Sequence, residues 1–276
     1  MYNTIFPKSL KAGDAIALLS PASAINNDYV YGAAEVLENK GFKPVIFPHA
    51  LDTFGSYSSS AANRLKDITE AVTDPAIRAI MCCRGGYGTV HLLQHFPVEA
   101  FIADPKWIIG FSDISALHAL AASNNVASIH SSMCKHLTIT QGDDYCSTSL
   151  FNILKGDRPE YSIEPHPYNN EGMAEGKILG GNLAVIADLI ATPYNIMGID
   201  GSILFIEDIA EPIYKVERIM YQLKLSGILD RISALIIGQF TEYKPDKNFA
   251  DMYEMLHDMT RKLNKPVVFN FPTGHV

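Results

Sequence analysis

From residue 14 to about 140, short apolar runs of strand length alternate with amphipathic stretches of helical spacing, and that alternation leaves few folds open. The strand candidates are AIALLS (15–20), PVIFP (44–48), AIRAIMCC (76–83), WIIGF (107–111) and ASIH (127–130). Between them lie Val30, Ala34 and Leu37 ahead of Gly41, and Leu65, Ile68 and Val72 ahead of Asp74-Pro75, each set at helical spacing with a stop signal behind it. Strands that alternate with helices pair in parallel, and runs apolar on both sides suit strands covered by helices on each face. The expected fold class is α/β, with an N-terminal open, doubly wound parallel sheet.

Residues 141 to 175 change character. QGDDY, then Gly156-Asp157-Arg158-Pro159, then EPHPYNNEG concentrate turn formers around one short helix. Beyond them a smaller α/β unit carries strand candidates near KIL, SILFIE, ALIIGQF and PVVFNF. Its two helices read from Ile213, Val216, Met220 and Leu223 ending at Gly227, and from Met252, Leu256, Met259 and Leu263. The expected domains are therefore 1–140, a linker at 141–170, and 171–276. A chain of 276 residues that is 47% hydrophobic can fill two such cores.

Charge and composition remove several classes of function. With 22 basic and 30 acidic side chains the net charge is -8, which repels a phosphate backbone, so nucleic acid is not an expected partner. No apolar run reaches the length of a bilayer crossing, and Ala15-Ile16-Ala17-Leu18-Leu19 is too short for a signal segment, so the expected setting is cytosolic, without a membrane partner. Cysteines at 82, 83, 134 and 146 lack zinc spacing and read as free thiols, and nine scattered histidines form no ligand motif, so no metal or cofactor is expected.

The chemistry points to the carboxyl ends of the first sheet's strands, where ligands of open parallel sheets bind. In WIIGFSDISALH, a strand ends at Ser112 and a helical pattern starts at once. Ser112 reads either as the N-cap of that helix or as a nucleophile raised on a tight turn, with backbone N–H groups of the first helical turn facing an oxyanion. Gly110 supplies half of a G-x-S-x-G elbow, and Ile114 replaces the second glycine. After AIRAIMCC comes Arg84-Gly85-Gly86-Tyr87-Gly88, three glycines in four residues, without the lysine or spacing of a nucleotide loop. Cys83 closes the strand ahead of it and reads as packed, not as a thiol nucleophile.

Taken together, CRGGYG, WIIGFSDISALH, KILGGNL, FIEDIAEPIYKVERIMYQLKLSGIL and FPTGHV resemble, in order and spacing, the LD-carboxypeptidase family, which includes murein tetrapeptide carboxypeptidases and microcin C self-immunity peptidases. The resemblance implies an amidotransferase-like N-terminal domain, a smaller C-terminal α/β domain and a homodimer. It implies a serine triad: Ser112 of G-F-S-D as nucleophile, His275 of T-G-H as general base and acid, and Glu207 of F-I-E-D as the carboxylate that orients the imidazole. The N–H groups of Asp113 and Gly86 would then form the oxyanion hole, with Arg84 and Gly85 as substrate-binding candidates. Without the resemblance, Glu207 reads as part of a solvated acidic loop and His275 as an ordinary terminal histidine.

The activity so implied is hydrolysis of an L,D peptide bond that frees D-alanine from a murein tetrapeptide during peptidoglycan recycling. Alternatives are a peptidase for microcin-like acyl-sulfamoyl nucleotides and a non-catalytic protein holding a small anion at helix N-termini. Two features depart from the family pattern. His130-Ser131-Ser132-Met133 stands where members read H-G-P-M, and members continue past the histidine where this sequence has only Val276, so a poorly fixed His275 is expected.

Overall fold

The computed structural model describes residues 4–275. The chain divides into two compact units, residues 1–160 and residues 161–276.

The first unit opens with β1 (Ala15–Leu19), α1 (Asn27–Asn39), β2 (Lys43–Ile46), α2 (Ala61–Thr73) and β3 (Ile77–Cys82). It continues with α3 (Val98–Ala103), β4 (Trp107–Gly110), α4 (Ser115–Ser123), β5 (Ile129–His130), α5 (Cys134–Thr140) and α6 (Tyr145–Lys155). The five strands form one parallel sheet in the order β2-β1-β3-β4-β5, so the order reverses direction beside β1. With right-handed crossovers that reversal sends α1 to one face and α2 to the other, the doubly wound arrangement expected. Every residue of β1 and β4 is buried, as strands covered on both faces require.

Local chemistry fixes the helices. Asn26 caps α1 by accepting from the Asp28 N–H, and Val30, Ala33, Val36 and Leu37 form its buried stripe. Ser60 caps α2 through the Asn63 N–H. The boundary of this unit lies later than residue 140. Asp144 caps α6, and Leu150, Phe151 and Leu154 pack with α1 and β1 side chains in the core, so the start of the presumed linker belongs to the first unit. An amphipathic helix with a buried stripe outweighs the turn formers on either side of it.

The second unit contains β6 (Ile178–Asn182), α7 (Leu183–Ala187), β7 (Ile203–Ile209), α8 (Ile213–Leu225), α9 (Ile228–Arg231), β8 (Ala234–Thr241), α10 (Met252–Thr260) and β9 (Val267–Val268). Its four strands are parallel, in the order β6-β7-β8-β9. The stripe Ile213, Val216, Met220 and Leu223 is buried as its spacing predicts. Leu263, read as the last turn of α10, lies beyond that helix. Among the described residues no helix is long and apolar enough to cross a membrane.

Candidate active site

At the end of β4 the chain turns sharply. Ser112 has φ of +65°, the left-handed region that a residue with a side chain enters only under strain. A short 3-10 turn, Ser112–Ile114, follows and runs into α4. The N-cap position of that turn is Phe111 and that of α4 is Ile114, and neither makes a side-chain cap. Ser112 is therefore no helix cap, since a capping residue is extended and sits one place earlier. Behind the turn, His118 is buried and bridges Gly110 O (2.8 Å from Nε2) and Ser128 Oγ (2.8 Å from Nδ1). A carbonyl only accepts, so Nε2 carries the proton. Burial, with the nearby His130 adding to it, lowers the His118 pKa to about 3, and the ring stays neutral. Gly110 O also accepts from the Ser131 N–H (3.1 Å), in the segment that departs from H-G-P-M.

The glycine loop lies against this serine. A Cβ placed on Gly85 would stand 2.9 Å from Ser112 Cβ and 3.1 Å from its Oγ, so only glycine permits the approach. Gly86, at φ +103°, presses on Ser23, whose Oγ accepts from the Tyr87 N–H (3.1 Å) and whose N–H donates to Gly85 O (3.2 Å). Arg84 is exposed and its guanidinium donates to Ala24 O (2.6 Å), which ties the glycine loop to the loop after β1. Ser23 carries no motif of its own, and only the fold brings it here.

In the second unit, Glu207 sits on β7 and is fully buried, which corrects the solvated-loop reading. The β7–β8 register shifts between Ile206 and Asp208, where Glu207 faces two residues of β8, Gly238 and Gln239, a β-bulge. Glu207 Oε2 stands 2.9 Å from Nδ1 of His275. The segment carrying that histidine runs along β8: Phe271 N–H donates to Ile237 O, Gln239 N–H to Thr273 O, and Thr241 Oγ1 to His275 O. A Cβ on Gly238 would meet Thr273 O at 2.6 Å, and one on Gly274 would meet Glu207 Oε2 at 3.0 Å. His275 is therefore fixed by pairing and by two glycines. Next to it, Asp208 accepts from Asn182 Nδ2, Ala184 N–H and Ile209 N–H, while burial, reinforced by the Glu207 charge, raises its pKa to about 6.

The structure thus brings Ser112, Asp113, Gly85, Gly86 and Arg84 to one edge of the first sheet, and Glu207 and His275 together in the second unit. Cys83 is buried, and no group of three or more histidine, cysteine, aspartate or glutamate side chains is arranged to hold a metal ion among the described residues.

Residues 16–131 match the LD-carboxypeptidase N-terminal domain and residues 175–276 the LD-carboxypeptidase C-terminal domain. The chain belongs to the LD-carboxypeptidase family, a family of peptidases, and is an enzyme of that class. The murein tetrapeptide carboxypeptidase of Pseudomonas aeruginosa is 30% identical over 270 residues, covering 94% of this chain and 87% of that one. A solved structure of muramoyltetrapeptide carboxypeptidase from Oxalobacter formigenes superposes with a TM-score of 0.84 at 30% identity, over 95% of this chain and 89% of that one. The structure of MccF in complex with glutamyl sulfamoyl guanosine superposes with a TM-score of 0.82 at 25% identity, over 95% and 88%.

Proposed function

We propose that this enzyme is a serine carboxypeptidase that hydrolyses an L,D peptide bond and releases the terminal D-alanine of a murein tetrapeptide in peptidoglycan recycling. Ser112 Oγ attacks the scissile carbonyl while His275 Nε2 takes its proton. Glu207, on the Nδ1 side of the ring, holds the tautomer and stabilises the imidazolium. The N–H groups of Gly86 and Asp113 receive the oxyanion, each worth about 3 kcal/mol in the transition state. His275 then protonates the leaving amine, and water releases the acyl-enzyme.

The observation that carries the chemistry is the strained backbone of Ser112, φ +65°, with a glycine packed against its side chain. A turn held in that conformation at the sheet's ligand-binding edge is a nucleophile elbow. The Glu207–His275 hydrogen bond supports the assignment of base and orienting carboxylate. The substrate rests on the murein and muramoyl tetrapeptide carboxypeptidases that resemble this chain. Four free cysteines support a reducing, cytosolic setting, and the family resemblance adds a homodimer, which light scattering would measure.

The test is D-alanine release from a synthetic murein tetrapeptide. Ser112→Ala is expected to lower kcat by roughly 10⁴-fold or more with an unchanged circular dichroism spectrum. Turnover retained in that variant would remove Ser112 as the nucleophile. A wild-type enzyme that ignores the tetrapeptide but cleaves an acyl-sulfamoyl nucleoside, the class of ligand bound in the MccF structure, would replace the substrate and keep the mechanism.

A further inference from the structure

The two amides proposed for the oxyanion come from different loops, Gly86 after β3 and Asp113 after β4, and something must hold their separation. One buried side chain joins those two loops, and a second ties the glycine loop to the loops after β1 and before α2. Asp113, 5% exposed, turns its carboxylate to the N–H of Thr89, with Oδ2 at 2.8 Å. Thr89 directly follows Gly88, the last glycine of the loop. Arg64, on α2 and 2% exposed, donates from Nη1 to Gly88 O (2.8 Å) and Pro21 O (2.6 Å), and from Nε to Ser59 O (3.0 Å). Its Nη2 reaches His91 Nδ1 at 3.1 Å, and its guanidinium lies over the Tyr57 ring, 5.0 Å from the centroid. A buried guanidinium is tolerable only when its donors are satisfied, and here backbone carbonyls of three separate loops satisfy it. Gly88 is shaped to this contact: at φ +121°, a Cβ there would lie 2.9 Å from Arg64 Nη1.

We infer that the Asp113 carboxylate and the Arg64 guanidinium are positioning residues that lock the glycine loop to the serine elbow and so set the spacing of the two oxyanion donors. The inference rests on Ser112 being the nucleophile. Asp113 then acts twice, through its own amide on the oxyanion and through its carboxylate on the loop that carries the other donor. Arg64 closes the link from the opposite side by fixing the Gly88 carbonyl. Lysine cannot replace it, because one ammonium does not reach carbonyls spread over three loops in a planar fork.

The measurement is the second-order rate of Ser112 modification by a fluorophosphonate, which needs the oxyanion donors but no peptide, with kcat and KM for D-alanine release alongside. Asp113→Ala is expected to slow modification and kcat by roughly 10²-fold while KM moves less than about threefold, the signature of an interaction made only in the transition state. Asp113→Asn, whose amide oxygen can still accept from Thr89, is expected to recover most of that loss, and Arg64→Lys to lose at least about tenfold in both rates. Folded Asp113→Ala that reacts within about threefold of wild type overturns the inference, as does an equal loss in Asn and Ala or an effect confined to KM. Should Asp113→Ala fail to fold, Arg64→Lys decides: a rate within about threefold of wild type overturns the inference. A wild-type protein never modified at Ser112 overturns the nucleophile assignment and this inference with it, whereas modification unaffected by the variants overturns the inference alone.

Discussion

Ser112 shows how one residue's conformation separates two readings, of which local sequence alone favours the helix cap. A serine between a strand and a helix caps the helix if its backbone is extended, and stands above the sheet if it turns left-handed. The second holds here, and the strain is sustained by groups that do no chemistry themselves. His118 is one of them, a neutral ring tying α4 to the carbonyl of Gly110. Because its folded pKa is depressed to about 3 from an ordinary 6.5, its contribution to stability is present above pH 6.5 and is lost as pH falls from 6.5 towards 3. At pH 4.5 the loss is about 2 to 3 kcal/mol relative to pH 7. His118→Gln keeps a donor for the carbonyl but does not titrate, so urea midpoints of the variant should vary less between pH 7 and pH 4.5 than those of wild type. Equal slopes would show that the ring is not the titrating group.

At the scale of elements, the second sheet depends on glycine at places where strands and loops come too close for any side chain. Gly180 on β6 is the tightest, since a Cβ there would stand 1.9 Å from Phe205 O on β7. Gly180→Ala must part those strands, and we expect a loss of about 3 kcal/mol or more, read as a lower urea midpoint with unchanged m. A loss below about 1 kcal/mol would mean that the β6–β7 pairing adjusts more easily than its geometry implies. In sequence KIL reads as a strand, and Gly180-Gly181-Asn182 as serving a turn and close packing. In the structure the strand continues through both glycines to Asn182, whose side chain caps α7. Strand-breaking propensity at Gly180-Gly181 yields to the requirement for close backbone approach. The register shift that sets Gly238 and Gln239 of β8 against the single Glu207 of β7 has no periodic signature either.

For the whole molecule, the chain divides at Glu160, and each unit carries its own parallel sheet. The first unit closes its core with α6, so a fragment of residues 1–160 should melt cooperatively, whereas one ending at 140 loses Leu150, Phe151 and Leu154 from the core and should not. The 1–160 fragment retains the serine elbow and the glycine loop but lacks Glu207 and His275, so it should react with a fluorophosphonate at least about 10³-fold more slowly than the full chain. Equal reactivity would remove His275 as the base.

The α/β class, the parallel strands and the buried stripe of α8 were legible in the sequence because hydrophobic periodicity is a local property, whereas Ala34 and Leu65, read into the stripes of α1 and α2, are only half-buried. The family was legible from five short motifs in fixed order. Ser23, Arg64 and the carboxylate of Asp113 left no such trace, and neither did the burial of Glu207 or its bond to a histidine 68 residues away. Those depend on which strand ends and loops the topology brings side by side. A hydrogen bond between residues far apart in the chain has no spacing to reveal it, so only the folded sheet, with its register, bulge and glycine contacts, decides which polar groups meet.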